Sequence, residues 1–144
     1  MYKKIRRKVK KFFREILLYH NSSLEYRAKI LTLVVAVNGK ITACEEELLY
    51  KTAREIYNND EERSEILVDA VKEYFEKIKS DNGLEFEDLI FQVEKDTKAV
   101  KRFVSKIDIE RLLKFQECID EEEDKIYQQR VITYLEDLKK QYSR

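Results

Sequence analysis

Apolar residues recur at helical intervals almost from one end of this chain to the other. Ile5, Val9, Phe12, Phe13, Ile16 and Leu17 predict an amphipathic helix over about residues 3–20, and its polar face is basic. A nearly continuous run follows, Ile30 to Val37, interrupted only by Thr32. With so few polar positions, a helix over about 24–37 has to lie at the centre of the molecule. Further helices are expected from Thr42 to about 57 and over about 61–79. The second of these carries Ile66, Leu67, Ala70, Val71, Tyr74, Phe75 and Ile78 along one face. Beyond the break at Ser80-Asp81-Asn82-Gly83, the pattern predicts two short helices, about 85–94 and 97–104, then helices over about 107–118 and 121–141.

Polar residues punctuate these segments. Asn21-Ser22-Ser23 ends the first helix, and Ser22 with Glu25 has the spacing of a capping box opening the second. Asn58-Asn59-Asp60 separates the helices on either side of it, and Asp120 is placed to cap the last one. The stretch VNGKITACEEELL, residues 37–49, also imitates the back half of a calcium-binding loop, with Gly39 at the turn and Glu45 at the closing position. The front half does not follow. Its ligand positions fall on Val34 and Ala36, which carry no side-chain oxygen. A turn at Asn38-Gly39 and a capping box of Thr42 with Glu45 account for the motif better.

Composition narrows the fold class. The chain has 144 residues, no proline, two glycines and 40% charged residues. Such a sequence lacks the turn residues that hairpins need and is rich in helix formers, so an all-α bundle of about seven or eight helices is expected. Sliding the chain 78 residues along itself sets Ile41 on Ile119, Glu45 on Glu123, Leu48 on Ile126, Ala53 on Val131 and Ile56 on Tyr134. Upstream, Val34, Val35 and Val37 fall on Leu112, Leu113 and Phe115. Two pseudo-repeated helix-turn-helix units are the implication, although Asn38-Gly39 becomes Gln116-Glu117 in the second.

Charge is segregated. The formal net charge is zero, yet residues 1–14 carry Lys3, Lys4, Arg6, Arg7, Lys8, Lys10, Lys11 and Arg14 and no acid. The rest of the chain is correspondingly eight charges negative. We therefore divide it into a basic amphipathic helix, 1–20, and a helical domain, 21–144. The eight cations are candidates for binding an anionic surface such as the inner face of a membrane, where each contributes about 1 kcal/mol. Nucleic acid ranks lower, because the acidic body would repel phosphates. Asp120, Glu121, Glu122, Glu123 and Asp124 form an acidic run at a helix start, a weak candidate for a surface that meets a basic partner.

Chemistry is sparse. The single His20 has no companion suited to catalysis, and no phosphate loop, HExxH or nucleophile elbow is present. No catalytic residue, cofactor, metal site or small-molecule substrate is expected. Cys44 and Cys118 lack CxxC spacing, and no secretory segment is visible, so they read as reduced, inert cytosolic thiols. The longest apolar run falls far short of the roughly 20 residues that span a bilayer.

The segments LTLVVAVNGKIT, IKSDN and DIERLLKFQECID resemble the TerB-like (tellurite-resistance) helical domain, and most closely the TerB-like region of membrane-anchored J-domain co-chaperones. The likeness covers about residues 24–138. It implies a non-catalytic interaction module of a stress-response or co-chaperone assembly, on the cytoplasmic side and with a protein partner. The family's acidic turn positions are Asn38 and Gln116-Glu117 here, which counts against metal binding. A chain without proline cannot carry the His-Pro-Asp turn of a J-domain, so the Hsp70-activating part would lie elsewhere. Two alternatives accompany this reading: a peripheral membrane or anion-binding protein acting through the basic N-terminal segment, and a small acidic metal-binding stress protein.

Overall fold

A computed structural model describes residues 22–80 and 85–143. Among the described residues there are six α-helices and three 3-10 segments, and no strand. The α-helices are α1 (Ser22–Val35), α2 (Ala43–Ile56), α3 (Glu61–Lys79), α4 (Phe86–Ala99), α5 (Ile109–Leu113) and α6 (Glu122–Tyr142). The 3-10 segments are Ala36–Asn38, Lys101–Lys106 and Lys114–Cys118. The all-α expectation is met. The helix expected over 3–20 lies outside the described residues.

Helix α1 is the centre, as its composition requires. Leu24, Ala28, Leu33, Val34 and Val35 are fully buried, and the helix packs against α3, α4, α6 and the 101–106 segment. Each of these leucine and valine side chains removed from water stabilises the fold by about 1.5–3 kcal/mol. Helix α3 docks through Ile66, Leu67, Val68, Ala70, Val71 and Phe75, close to the face that the periodicity marks. The α2–α3 corner needs two consecutive left-handed residues, Asn58 (φ 51°) and Asn59 (φ 64°). Asparagine tolerates that region better than most residues. Asp60 then caps α3 by accepting from the Arg63 amide.

Three expectations are corrected. Residues 86–99 form one helix where two, about 85–94 and 97–104, were expected, because the polar residues at the expected junction are tied into the bundle. The Thr97 hydroxyl bonds the Val93 carbonyl at 2.6 Å, and Asp96 pairs with Lys29 of α1 at 2.9 Å. The helix expected over 107–118 is α only to Leu113 and tightens to 3-10 through Cys118. Helix α6 starts after Glu121, which makes no side-chain cap bond, so Asp120 is not its cap.

The largest correction concerns the cysteines. Cys44, in the first turn of α2, is bonded to Cys118, at the end of the third 3-10 segment, with their Cα atoms 5.6 Å apart. They are not a pair of inert free thiols. The fold brings them together across 74 residues of sequence, and no local pattern records such a meeting.

The order helix, 3-10 turn, short link, helix occurs at both ends of the 78-residue offset. Burial agrees at Val34 and Leu112 and at Ala53 and Val131, but not at Leu49 and Tyr127, where a fully buried residue faces one that is 47% exposed.

Candidate functional site

The 36–45 turn is built from backbone and cap chemistry. Gly39 takes φ +74°, which glycine adopts without a Cβ penalty, and its amide bonds the Ala36 carbonyl at 3.2 Å. Thr42 Oγ1 accepts from the Glu45 amide at 3.2 Å, while Glu45 Oε1 accepts from the Thr42 amide at 3.1 Å and from its hydroxyl at 3.1 Å. This is the capping box that the sequence predicts. Glu45 is fully buried, with its Oε1 committed to the cap. Val34 and Ala36, the front positions of the imitated calcium loop, belong to α1 and to the 3-10 turn. Among the described residues no three His, Cys, Asp or Glu side chains come together as metal ligands. Thr42→Ala is expected to cost about 1–2 kcal/mol in urea unfolding, the upper end of a lost cap, because Glu45 is left with fewer partners in a buried position.

Glu123, which the offset equates with Glu45, is exposed and makes no such box. Asp120, Glu121 and Glu122 are exposed with it, and Asp124 is half-buried. Glu122, Glu123 and Asp124 fill the first turn of α6, where the helix dipole favours negative charge. One step further on, Ile126 is 49% exposed and Tyr127 is 47% exposed. The Tyr127 ring lies 6.2 Å from that of Phe86, the first residue of α4, and Phe91 of the same helix is 66% exposed. Acidic and apolar groups thus share the surface where α4 and α6 meet. The basic residues from Lys3 to Arg14 lie outside the described residues.

A polar network joins α1 to α3 and α4. Lys29, 7% exposed, reaches Asp96 at 2.9 Å and Glu25 at 3.8 Å. Because Thr97 gives its proton to the Val93 carbonyl, the Tyr26 hydroxyl is the donor in its 2.5 Å bond to Thr97. Tyr74 donates to Glu25 at 2.9 Å, and both line a surface pocket with Ala70, Glu73 and Lys77. On the far side, Tyr134 donates to Glu94 at 3.2 Å. Sequence reasoning missed this network, and Gln128 as well. The Gln128 side chain is fully buried and donates at 3.0 Å to the Val34 carbonyl in the last turn of α1.

The network holds its phenols neutral. Burial pushes Tyr26 up to about 12, and the charge of Asp96 adds to the rise. Burial, then the charge and hydrogen bond of Glu94, push Tyr134 up to about 12. Tyr74 is raised by burial and then by Glu25. At neutral pH these groups donate hydrogen bonds and do not act as bases. Unfolding returns each to the ordinary tyrosine value of 10.0. Their contribution to stability is therefore complete below pH 10 and is lost as pH rises toward 12. In a spectrophotometric titration, these phenols should resist ionisation at about pH 10.5 and titrate only together with loss of helical circular dichroism. Ionisation of all nine tyrosines at the ordinary value, with the helices intact, would contradict the network.

Comparison with known proteins gives no match: no family model, curated protein or solved structure aligns significantly with this chain. Among the described residues no helix is long and apolar enough to cross a membrane.

Proposed function

We propose that this chain is a non-catalytic helical interaction module of the TerB-like class, serving a stress-response or co-chaperone assembly. One observation carries the interaction reading. Ile126 and Tyr127 stand half out of the protein one residue beyond the carboxylates of residues 120–124, with the Tyr127 ring near that of Phe86, and none of these carboxylates forms an ion pair among the described residues. The partner suited to that surface is a basic amphipathic protein segment, its apolar side on Phe86, Ile126 and Tyr127 and its cations on the acidic run. Tyrosine supports such contacts because it offers a large rigid face at low entropic cost.

The test is affinity capture with the intact chain, the chain lacking residues 1–20, and the intact chain carrying Ile126→Asp and Tyr127→Asp. A specifically retained protein should persist without residues 1–20 and weaken at least about tenfold with the double substitution. Retention that ignores residues 126 and 127 overturns the surface assignment. The membrane alternative rests on the eight cations of residues 1–14. It gains if the chain sediments with anionic liposomes only when those residues are present. A cytoplasmic location would place the Cys44–Cys118 bond in a reducing compartment, where disulfides are as a rule transient.

A further inference from the structure

We infer that the Cys44–Cys118 pair is a thiol–disulfide exchange site, with Cys44 as the exchanging sulfur and a small zwitterionic peptidyl thiol as its reaction partner. Three observations converge on it. First, the bond is not sealed in the core: Cys44 is exposed, Cys118 is half-buried, and both line a surface pocket with Glu47, Leu48, Lys51, Lys114 and Glu117. An incoming thiolate can reach Cys44 Sγ without unfolding the bundle.

Second, Cys44 is the second residue of α2, next to the cap formed by Thr42. A sulfur there lies in the first turn, at the positive end of the helix dipole, which lowers a cysteine's pKa and favours its thiolate, with Glu46 of the same turn opposing in part. Cys118 ends a short 3-10 segment and has no such setting. The two sulfurs are therefore unequal: the accessible one is also the one better stabilised as a nucleophile. Third, the pocket carries two ammonium groups and two carboxylates, all exposed and none in an ion pair among the described residues. That mixture complements a small molecule bearing both carboxylates and an ammonium group, and it offers no single-sign field for a strongly charged one.

The reaction is balanced by two equivalents of thiol. A partner thiolate attacks Cys44 Sγ, forming a mixed disulfide as the Sγ–Sγ bond breaks and Cys118 leaves as thiolate. A second partner thiolate attacks the partner sulfur of that mixed disulfide and releases Cys44 as thiolate. The products are the partner's disulfide and the reduced protein, so two electrons pass from two thiols to the protein. The reverse sequence begins with Cys44 attacking an external disulfide.

The experiment uses the full chain in buffers of defined reduced-to-oxidised glutathione ratio, quenched with acid, alkylated and mapped by peptide mass spectrometry. Reversible interconversion is expected while circular dichroism stays helical, with the glutathione adduct on Cys44. An adduct on Cys118, or reduction seen only once the helices are lost, overturns the assignment. Single-cysteine variants add a rate measurement. The chain carrying Cys118→Ser should react with oxidised glutathione at neutral pH about threefold faster than the chain carrying Cys44→Ser, since a greater thiolate fraction outweighs lower intrinsic nucleophilicity. Equal rates with both variants folded count against it. If either variant unfolds, adduct mapping on the native protein decides.

Discussion

Replacing both cysteines with serine should remove about 4 kcal/mol of stability. The bond closes a loop across 74 residues. In the chain-entropy account, a loop of that size restricts the unfolded ensemble by about 4 kcal/mol at room temperature. Set against the roughly 5–15 kcal/mol that stabilises a typical domain, this decides whether the molecule is robust or marginal. The loss should appear as a lower urea midpoint in the double-serine variant, and as the same shift when wild-type protein is unfolded with excess dithiothreitol. Agreement between the two assigns the effect to the bond and not to the serines. A shift below about 1 kcal/mol would show that the bridged residues are held together equally well without it. Because the unfolded chain is also changed, the slope of the transition should rise on reduction.

Phe115→Ala should cost about 3–5 kcal/mol, with the disulfide intact, whereas Phe91→Ala should stay within about 0.5 kcal/mol. The two phenylalanines differ only in surroundings: Phe115 is fully buried and Phe91 is 66% exposed. Phe115 and Leu112 are the buried residues of α5 and the 3-10 segment that follows it, so removing the ring leaves a cavity and frees the segment that carries Cys118. Phe115 and Cys118 share one short segment, so the losses from Phe115→Ala and from reduction should not add. Urea titration of the four combinations measures the coupling. Simple additivity would mean that the segment is fixed from elsewhere, for instance by α6.

Much of this fold is written in short-range pattern. The boundaries of α3, Glu61–Lys79, coincide with those expected from its apolar face, the polar link Asn58-Asn59-Asp60 and the break that begins at Ser80. The Thr42–Glu45 box and the Gly39 turn are likewise visible as spacing, because both partners of each bond lie within four residues. The same reasoning failed at residues 95–97. There, the side chains of Asp96 and Thr97 meet Lys29 and Tyr26, which lie 67 and 71 residues away. It also overstated the second repeat unit. The offset equates Glu45 with Glu123, yet one is buried in a cap and the other stands in solvent. Apolar period alone does not say which turns a neighbouring helix will cover.

The candidate sites divide the same way. The acidic run at 120–124 and the neighbouring Ile126 and Tyr127 are plain in the sequence, but Phe86 joins them only where α4 packs on α6. By itself, the sequence determined helical class, most helix boundaries, the central place of α1 and the Thr42–Glu45 cap, since each depends on short-range pattern. Only the tertiary structure decided that Lys29 is buried against Asp96, that Gln128 serves the Val34 carbonyl and that Cys44 meets Cys118. Those pairs are separated by 67, 94 and 74 residues. Their proximity follows from how whole helices pack, and one sequence carries no local signal for that.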